Sequence, residues 1–72
     1  MDELARILGR NVRRRRAKLG LTQAELALQL GISRAELSKI EQGRGNPRLR
    51  TVERVAYGLG LRPGDLLEPP GR

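Results

Sequence analysis

Arg34, Ala35, Ser38, Lys39 and Gln42 recur at helical spacing, and Leu37 and Ile40 fall between them. If this stretch is a helix, Leu37 and Ile40 turn one way and the other five turn the opposite way. Arg34 can then donate two parallel hydrogen bonds to O6 and N7 of a guanine. Lys39 can reach a guanine or a phosphate, and Ala35 can touch only a thymine methyl. Free N–H groups and the positive dipole end at a helix start suit phosphate, and two such starts are expected, at Gln23 and Arg34. A charged, solvated face is also the commonest state of a surface helix, so spacing alone leaves Arg34 and Lys39 open to that plainer role.

The elements that must hold this face are announced by one phrase written twice. Gly20-Leu21-Thr22-Gln23-Ala24-Glu25-Leu26 is followed by Gly31-Ile32-Ser33-Arg34-Ala35-Glu36-Leu37. Thr22 and Ser33 are hydroxyl N-caps, and Glu25 and Glu36 stand three residues on, where each can complete a capping box. Leu21 with Leu26, and Ile32 with Leu37, fit the hydrophobic staple. Gly20 and Gly31 suit the left-handed residue that closes the preceding helix. A helix over Gln23–Leu30, a turn at Gly31-Ile32-Ser33 and a helix over Arg34–Gln42 describe a helix-turn-helix. On their own, the caps stabilise helices whatever the function.

Composition sets the partner class. The chain has 72 residues, 15 Lys+Arg against 8 Asp+Glu and a net charge of +7, which calls for an anionic partner. Its apolar stripes are short and divided among several helices, unlike a membrane-surface helix, so double-stranded DNA is the better reading. The absence of His and Cys removes the usual nucleophile–base pairs and thiolate metal sites. No phosphate loop follows a strand, and no pocket of ligand size is expected, so the chain reads as a non-enzyme needing no cofactor and no metal. No apolar run approaches signal-peptide or membrane-span length, and a cytoplasmic location is expected.

The rest of the chain reads as three more helices. Asp2–Leu19 carries a stripe of Leu4, Leu8, Val12 and Leu19, which Arg15 interrupts; Arg15 must snorkel to the core edge or pair with an acid. The Arg13–Arg16 run turns fully around this helix, so one or two of the four at most can lie near phosphate. After the Gly43–Pro47 loop, a fourth helix runs to about Leu59, with Leu49, Val52, Val55, Ala56 and Leu59 inward. Gly58 sits inside it, where Gly costs up to about 1 kcal/mol relative to Ala. Pro63 to Leu67 forms a short fifth helix, with Pro63 first and Asp65 third. The expected division is a domain over residues 1–68 and a flexible tail over residues 69–72.

The frame of Gln23, Ala27, Gly31, Leu37 and Ile40, with Gly20-Leu21-Thr22-Gln23 before it and Glu41-Gln42-Gly43 and Pro47 after it, closely resembles the Cro and lambdoid phage repressor type of helix-turn-helix domain. The resemblance covers roughly Leu8 to Leu67. It implies an all-α, five-helix lambda-repressor-like fold of bacterial or phage type. It also implies that the third helix docks in the DNA major groove. By position, base contacts fall to Arg34, Ala35, Ser38 and Lys39, and phosphate contacts to Gln23, Ser33, Arg44 and Asn46. Arg16 matches an Arg that pairs with the Glu ending the third helix, here Glu41. Arg15 departs from the family, which often has an apolar residue there. Family dimers often use the region after the fourth helix, so a homodimer on a palindromic operator is implied.

The leading expectation is a sequence-specific transcriptional regulator, a repressor in its simplest form, with an antitoxin or restriction-modification controller as a subtype. The competing class is a protein-interaction module that keeps the fold and bridges a transcription complex. Such a module has no need to display Arg34, Ser38 and Lys39 outward. RNA or non-specific nucleic-acid binding lacks stacking aromatics, since Tyr57 is the one aromatic residue.

Overall fold

The computed structural model describes residues 3–69. These form helices α1 (Glu3–Lys18), α2 (Gln23–Leu30), α3 (Arg34–Glu41), α4 (Leu49–Gly58) and α5 (Pro63–Leu66), with no strand among them. Gln42, Leu59 and Leu67, expected inside helices, are the C-terminal caps of α3, α4 and α5. The expected start at Asp2, and Pro70–Arg72 of the expected tail, lie outside the described residues.

The first four helices end alike. After α2, Gly31 N–H donates to the Leu28 carbonyl at 3.3 Å and Ile32 N–H to the Ala27 carbonyl at 3.1 Å, which is the Schellman closure. Equivalent pairs close α1 at Gly20 and Leu21, α3 at Gly43 and Arg44, and α4 at Gly60 and Leu61. Gly31 has φ 71°, a left-handed conformation that L side chains rarely adopt, so the turn between α2 and α3 requires a residue without Cβ.

The helix starts differ. At α2, Thr22 Oγ1 accepts from Glu25 N–H at 3.0 Å and Glu25 Oε1 accepts from Thr22 N–H at 2.8 Å, a complete capping box. At α3, Ser33 Oγ accepts from Glu36 N–H at 3.0 Å, but Glu36 does not reach back to Ser33. The second box is therefore half formed. Arg62 N–H donates to Asp65 Oδ2 at 2.9 Å and opens α5 behind Pro63. Thr22→Ala should cost about 1 kcal/mol, because the Glu25 N–H loses its Oγ1 acceptor while the backbone N–H of residue 22 can still donate to Glu25. That is about 4–8 °C in a domain of this size, read by thermal denaturation; an unmoved midpoint would show that α2 starts without its cap.

The core joins Leu8 and Val12 of α1, Leu26, Ala27 and Leu30 of α2, Leu37 and Ile40 of α3, Val52, Val55 and Ala56 of α4, then Leu59 and Leu66. Leu21, Ile32, Leu61 and Leu67 pack against its edge. Three residues expected inside are outside it: Leu4 is 49% exposed, Leu19 44% and Leu49 80%. Leu4 and Leu49 stand in the first turns of α1 and α4, and Leu19 follows the end of α1, so the apolar stripes run past the rim of a core too small to cover them.

Four polar or small residues of α1 and α4 seat the helices. Arg15 neither snorkels past the core nor meets an acid: its Nε donates to the Leu59 carbonyl at 3.0 Å, at the negative C-terminal end of α4. Asn11 Nδ2 donates to the carbonyls of Leu66 at 2.8 Å and Glu68 at 2.7 Å, tying the end of α5 to α1. Gly9 is buried where α1 crosses α3; a Cβ there would lie 2.5 Å from the Ile40 carbonyl oxygen. Gly58 faces the Leu30 side chain of α2, which occupies the space a Cβ would need. Its cost in helix propensity is offset by that close approach.

Candidate nucleic-acid interface

The close passage of α1 over α3 at Gly9 brings Arg16 to the end of α3. Arg16 Nε meets Glu41 Oε2 at 2.6 Å and Nη2 meets Oε1 at 3.0 Å, a two-pronged ion pair. Arg16 Nη1 also donates to the Leu21 carbonyl at 2.9 Å, just before α2. The Glu41 side chain is 3% exposed and that of Arg16 18%. Hydrogen bonding to Glu41 holds the Arg16 guanidinium above its ordinary pKa; burial opposes this, and the Glu41 charge adds to it. Arg16 therefore stays cationic. Gln23 Nε2 donates to Glu41 Oε1 at 3.0 Å. One buried carboxylate thus fixes α1, the start of α2 and the end of α3 relative to one another.

This network changes what Gln23 has to offer. One amide hydrogen is spent on Glu41, leaving the other and the backbone N–H of the first turn of α2 for an anion. Ser33 keeps its hydroxyl hydrogen, since Oγ only accepts, and it is exposed at the start of α3.

On α3, Leu37 and Ile40 are buried, while Arg34, Ala35 and Lys39 are exposed and Ser38 is half-buried. The Arg34 side chain makes no hydrogen bond or ion pair to another described residue, so its guanidinium fork is free to meet a ligand. A shallow groove beside the helix gathers Ser33, Ala35 and Lys39 with Arg44 and Asn46 of the following loop. Arg34, Ser38 and Gln23 do not line it. The stem of Lys39 lies over Gly45, where a Cβ would come within 3.0 Å of Lys39 Cδ. The loop is fixed to α3 at both levels: Arg44 N–H donates to the Lys39 carbonyl at 3.0 Å, and Arg44 Nη1 donates to Gln42 Oε1 at 3.1 Å. Gln42 Nε2 in turn donates to Ser38 Oγ at 3.2 Å.

Two members of this surface are not among the contact residues expected from sequence. Gln42 lies on the expected outward face, and its bonds to Ser38 and Arg44 make it the link between helix and loop. Glu36, read as the closing half of a capping box, instead lines the groove with Lys39. A carboxylate there accepts from a cytosine amino group and repels phosphate. The signal was the box motif itself, which gives the residue type at the third position but not which way its side chain turns.

The surface is thus a helix with a free Arg at its leading end and a groove beside it that holds Lys39 of the helix and Arg44 of the loop. No helix among the described residues is long and apolar enough to cross a membrane. The family model for the helix-turn-helix domain matches residues 7–69. An uncharacterised HTH-type transcriptional regulator, y4dJ of Sinorhizobium fredii, is 36% identical over 67 residues, covering 93% of this chain and 87% of its own. The crystal structure of the hypothetical transcription factor NHTF from Neisseria superposes with a TM-score of 0.90 at 38% identity, over 94% of this chain and 78% of that one. The immunity repressor protein of Bacillus phage phi105 is 41% identical over 54 residues, which are 75% of this chain and 38% of the repressor. With its five helices, its Thr22 and Ser33 caps and a family match from α1 to beyond α5, the chain belongs to the helix-turn-helix domain family of Cro and phage-repressor type.

Proposed function

We propose that this transcriptional regulator, with its DNA-binding helix-turn-helix fold, is sequence-specific and acts as a repressor. In this reading a homodimer binds a pseudo-palindromic operator, with α3 of each copy in the major groove. Arg34, Ala35, Ser38 and Lys39 meet base edges, while Gln23, Ser33, Arg44 and Asn46 meet phosphates. The observation that carries the reading is the free Arg34 fork on a face whose opposite side, Leu37 and Ile40, is locked in the core. The likeness to a phage immunity repressor supports the repressor role, which needs only that the bound protein block polymerase. No catalytic step is assigned to the chain, and its place of action is the cytoplasm.

Selection of bound duplexes from random DNA tests this directly. The expected product is an inverted repeat with half-site centres about one helical turn, ~34 Å, apart, since a two-fold dimer presents both reading helices to one side of the duplex. Affinity for that site should fall steeply with salt, because each neutralised phosphate releases counterions. Failure to enrich any sequence would contradict the reading.

A further inference from the structure

Helix α1 carries more positive charge than its structural duties use. Arg16 is committed to Glu41 and Arg15 to the Leu59 carbonyl. Arg6, Arg10, Arg13, Arg14 and Lys18 are exposed, and none of their side chains makes a hydrogen bond or ion pair with another described residue. Glu3 is the only acid among the described residues of α1. Like charges one helical turn apart repel, at about 0.2–0.5 kcal/mol for each pair. Such a cluster is a charged surface without a partner among the described residues.

Apart from Arg10, the cluster divides by geometry into two edges. Arg6, Gly9, Arg13 and Arg16 are spaced three, four and three residues apart, so they lie on one line along the helix. Gly9 rests against the carbonyls of Ile40 and Glu41, and Arg16 grips Glu41, so this line runs along the end of α3. Its other end reaches the loop: a Cβ on Gly43 would lie 3.1 Å from Arg6 Cα and 3.2 Å from Arg6 Cγ. Arg6 is thus the immediate neighbour of the segment that holds Arg44 and Asn46. Arg14 and Lys18 lie on the opposite edge, sharing a shallow depression with Leu61 and Asp65 beside α5.

We propose that Arg6 and Arg13 continue the phosphate-binding track of Arg44 and Asn46 onto α1, so that the domain holds DNA backbone beyond the base pairs read by α3. The inference rests on the DNA-binding reading above. Its partner is fixed by charge complementarity and by continuity with the loop: an array of phosphates adjoining those at Arg44. Arg13 and Arg6 stand about 10 Å apart along the helix, at 1.5 Å per residue, enough to engage more than one phosphate of a strand.

The test compares two doubly substituted chains of equal net charge. Arg6→Gln/Arg13→Gln removes the edge beside α3, and Arg14→Gln/Lys18→Gln removes the edge beside α5. Binding to the selected operator is measured against salt, on a duplex ending at the outer boundary of the half-sites and on one extended by a helical turn at each end. On the extended duplex, Arg6→Gln/Arg13→Gln should flatten the slope of log affinity against log salt by about 2, at about 0.9 for each phosphate no longer neutralised, and should lower affinity at least tenfold. On the short duplex it should differ from wild type by less than threefold, and Arg14→Gln/Lys18→Gln should stay within threefold on both. If both doubles weaken binding equally on both duplexes, only overall charge matters and the track is refuted. A shifted melting temperature with an unaltered salt slope would make Arg6 and Arg13 structural and likewise overturn it. If the operator is still bound and Arg34→Ala still impairs it while these results fail, the DNA-binding reading survives without its extension. Wild type that binds no duplex sinks both.

Discussion

Glu41→Leu should destabilise the domain by about 3 kcal/mol, the lower end of the loss expected when one partner of a buried ion pair is removed. Glu41 is almost fully buried and accepts three hydrogen bonds, two from Arg16 and one from Gln23. Without it, the Arg16 guanidinium keeps its bond to the Leu21 carbonyl but loses its counter-charge, and Gln23 is left with an unbonded amide. A domain of this size has only about 5–10 kcal/mol in total, so the melting midpoint should fall by about 12–24 °C. The physics also gives a rescue. Replacing both charges by apolar groups of similar volume removes the uncompensated charge, so Arg16→Met/Glu41→Leu should recover much of the loss. A single variant melting within 2 °C of wild type would mean that the pair does not hold α1 to α3. A double variant melting lower than the single would mean that Arg16 acts through its other partners.

That pair also shows where the chain is legible and where it is not. The helices could be read because their signals are local. A hydroxyl, a carboxylate three residues on and a glycine at the far end are all within one turn of the bonds they make, and the Schellman closures at Gly20, Gly31, Gly43 and Gly60 follow that grammar. Arg16 and Glu41 are 25 residues apart, and nothing in either neighbourhood says that they meet; only the resemblance to a family implied it. Arg15 and Asn11 could not be read at all, because their partners are backbone carbonyls, which every residue has. The buried Gly9 is explained only by the crossing of α3. Periodicity overreached at Leu4, Leu19 and Leu49, since a stripe records which way a residue points and not where the core stops.

The outward surface of α3 and its loop was legible in part for the same reason. The inward Leu37 and Ile40 determine which side chains of α3 face outward, so Arg34, Ala35, Ser38 and Lys39 follow from spacing alone. The loop residues Arg44 and Asn46 came from the family frame, and the structure places them in one groove with Lys39. Glu36 and Gln42 were missed. Their roles depend on side-chain rotamers, and a capping-box sequence is satisfied equally well with the box open.

The second large effect concerns specificity. Arg34 stands in the first turn of α3, and its side chain has no partner among the described residues; a bidentate Arg–guanine contact is worth about 1–3 kcal/mol of discrimination against the wrong base. Arg34→Ala should therefore weaken binding to the operator about 5- to 150-fold and relax preference at one base pair in each half-site. Stability should barely change, because the exposed side chain holds nothing in place. Arg44, tied to Gln42 and to the Lys39 carbonyl at the groove edge, is expected to meet the DNA backbone in the proposed reading, a contact that positions the protein without reading sequence. The most direct measurement is the affinity of wild type, Arg34→Ala and Arg44→Ala for the selected operator and for a scrambled duplex at one salt concentration. The expected result is that Arg34→Ala collapses the ratio of the two affinities, while Arg44→Ala lowers both and leaves their ratio intact. If Arg34→Ala lowers both affinities by the same factor, Arg34 touches only backbone, and α3 does not read bases through this face.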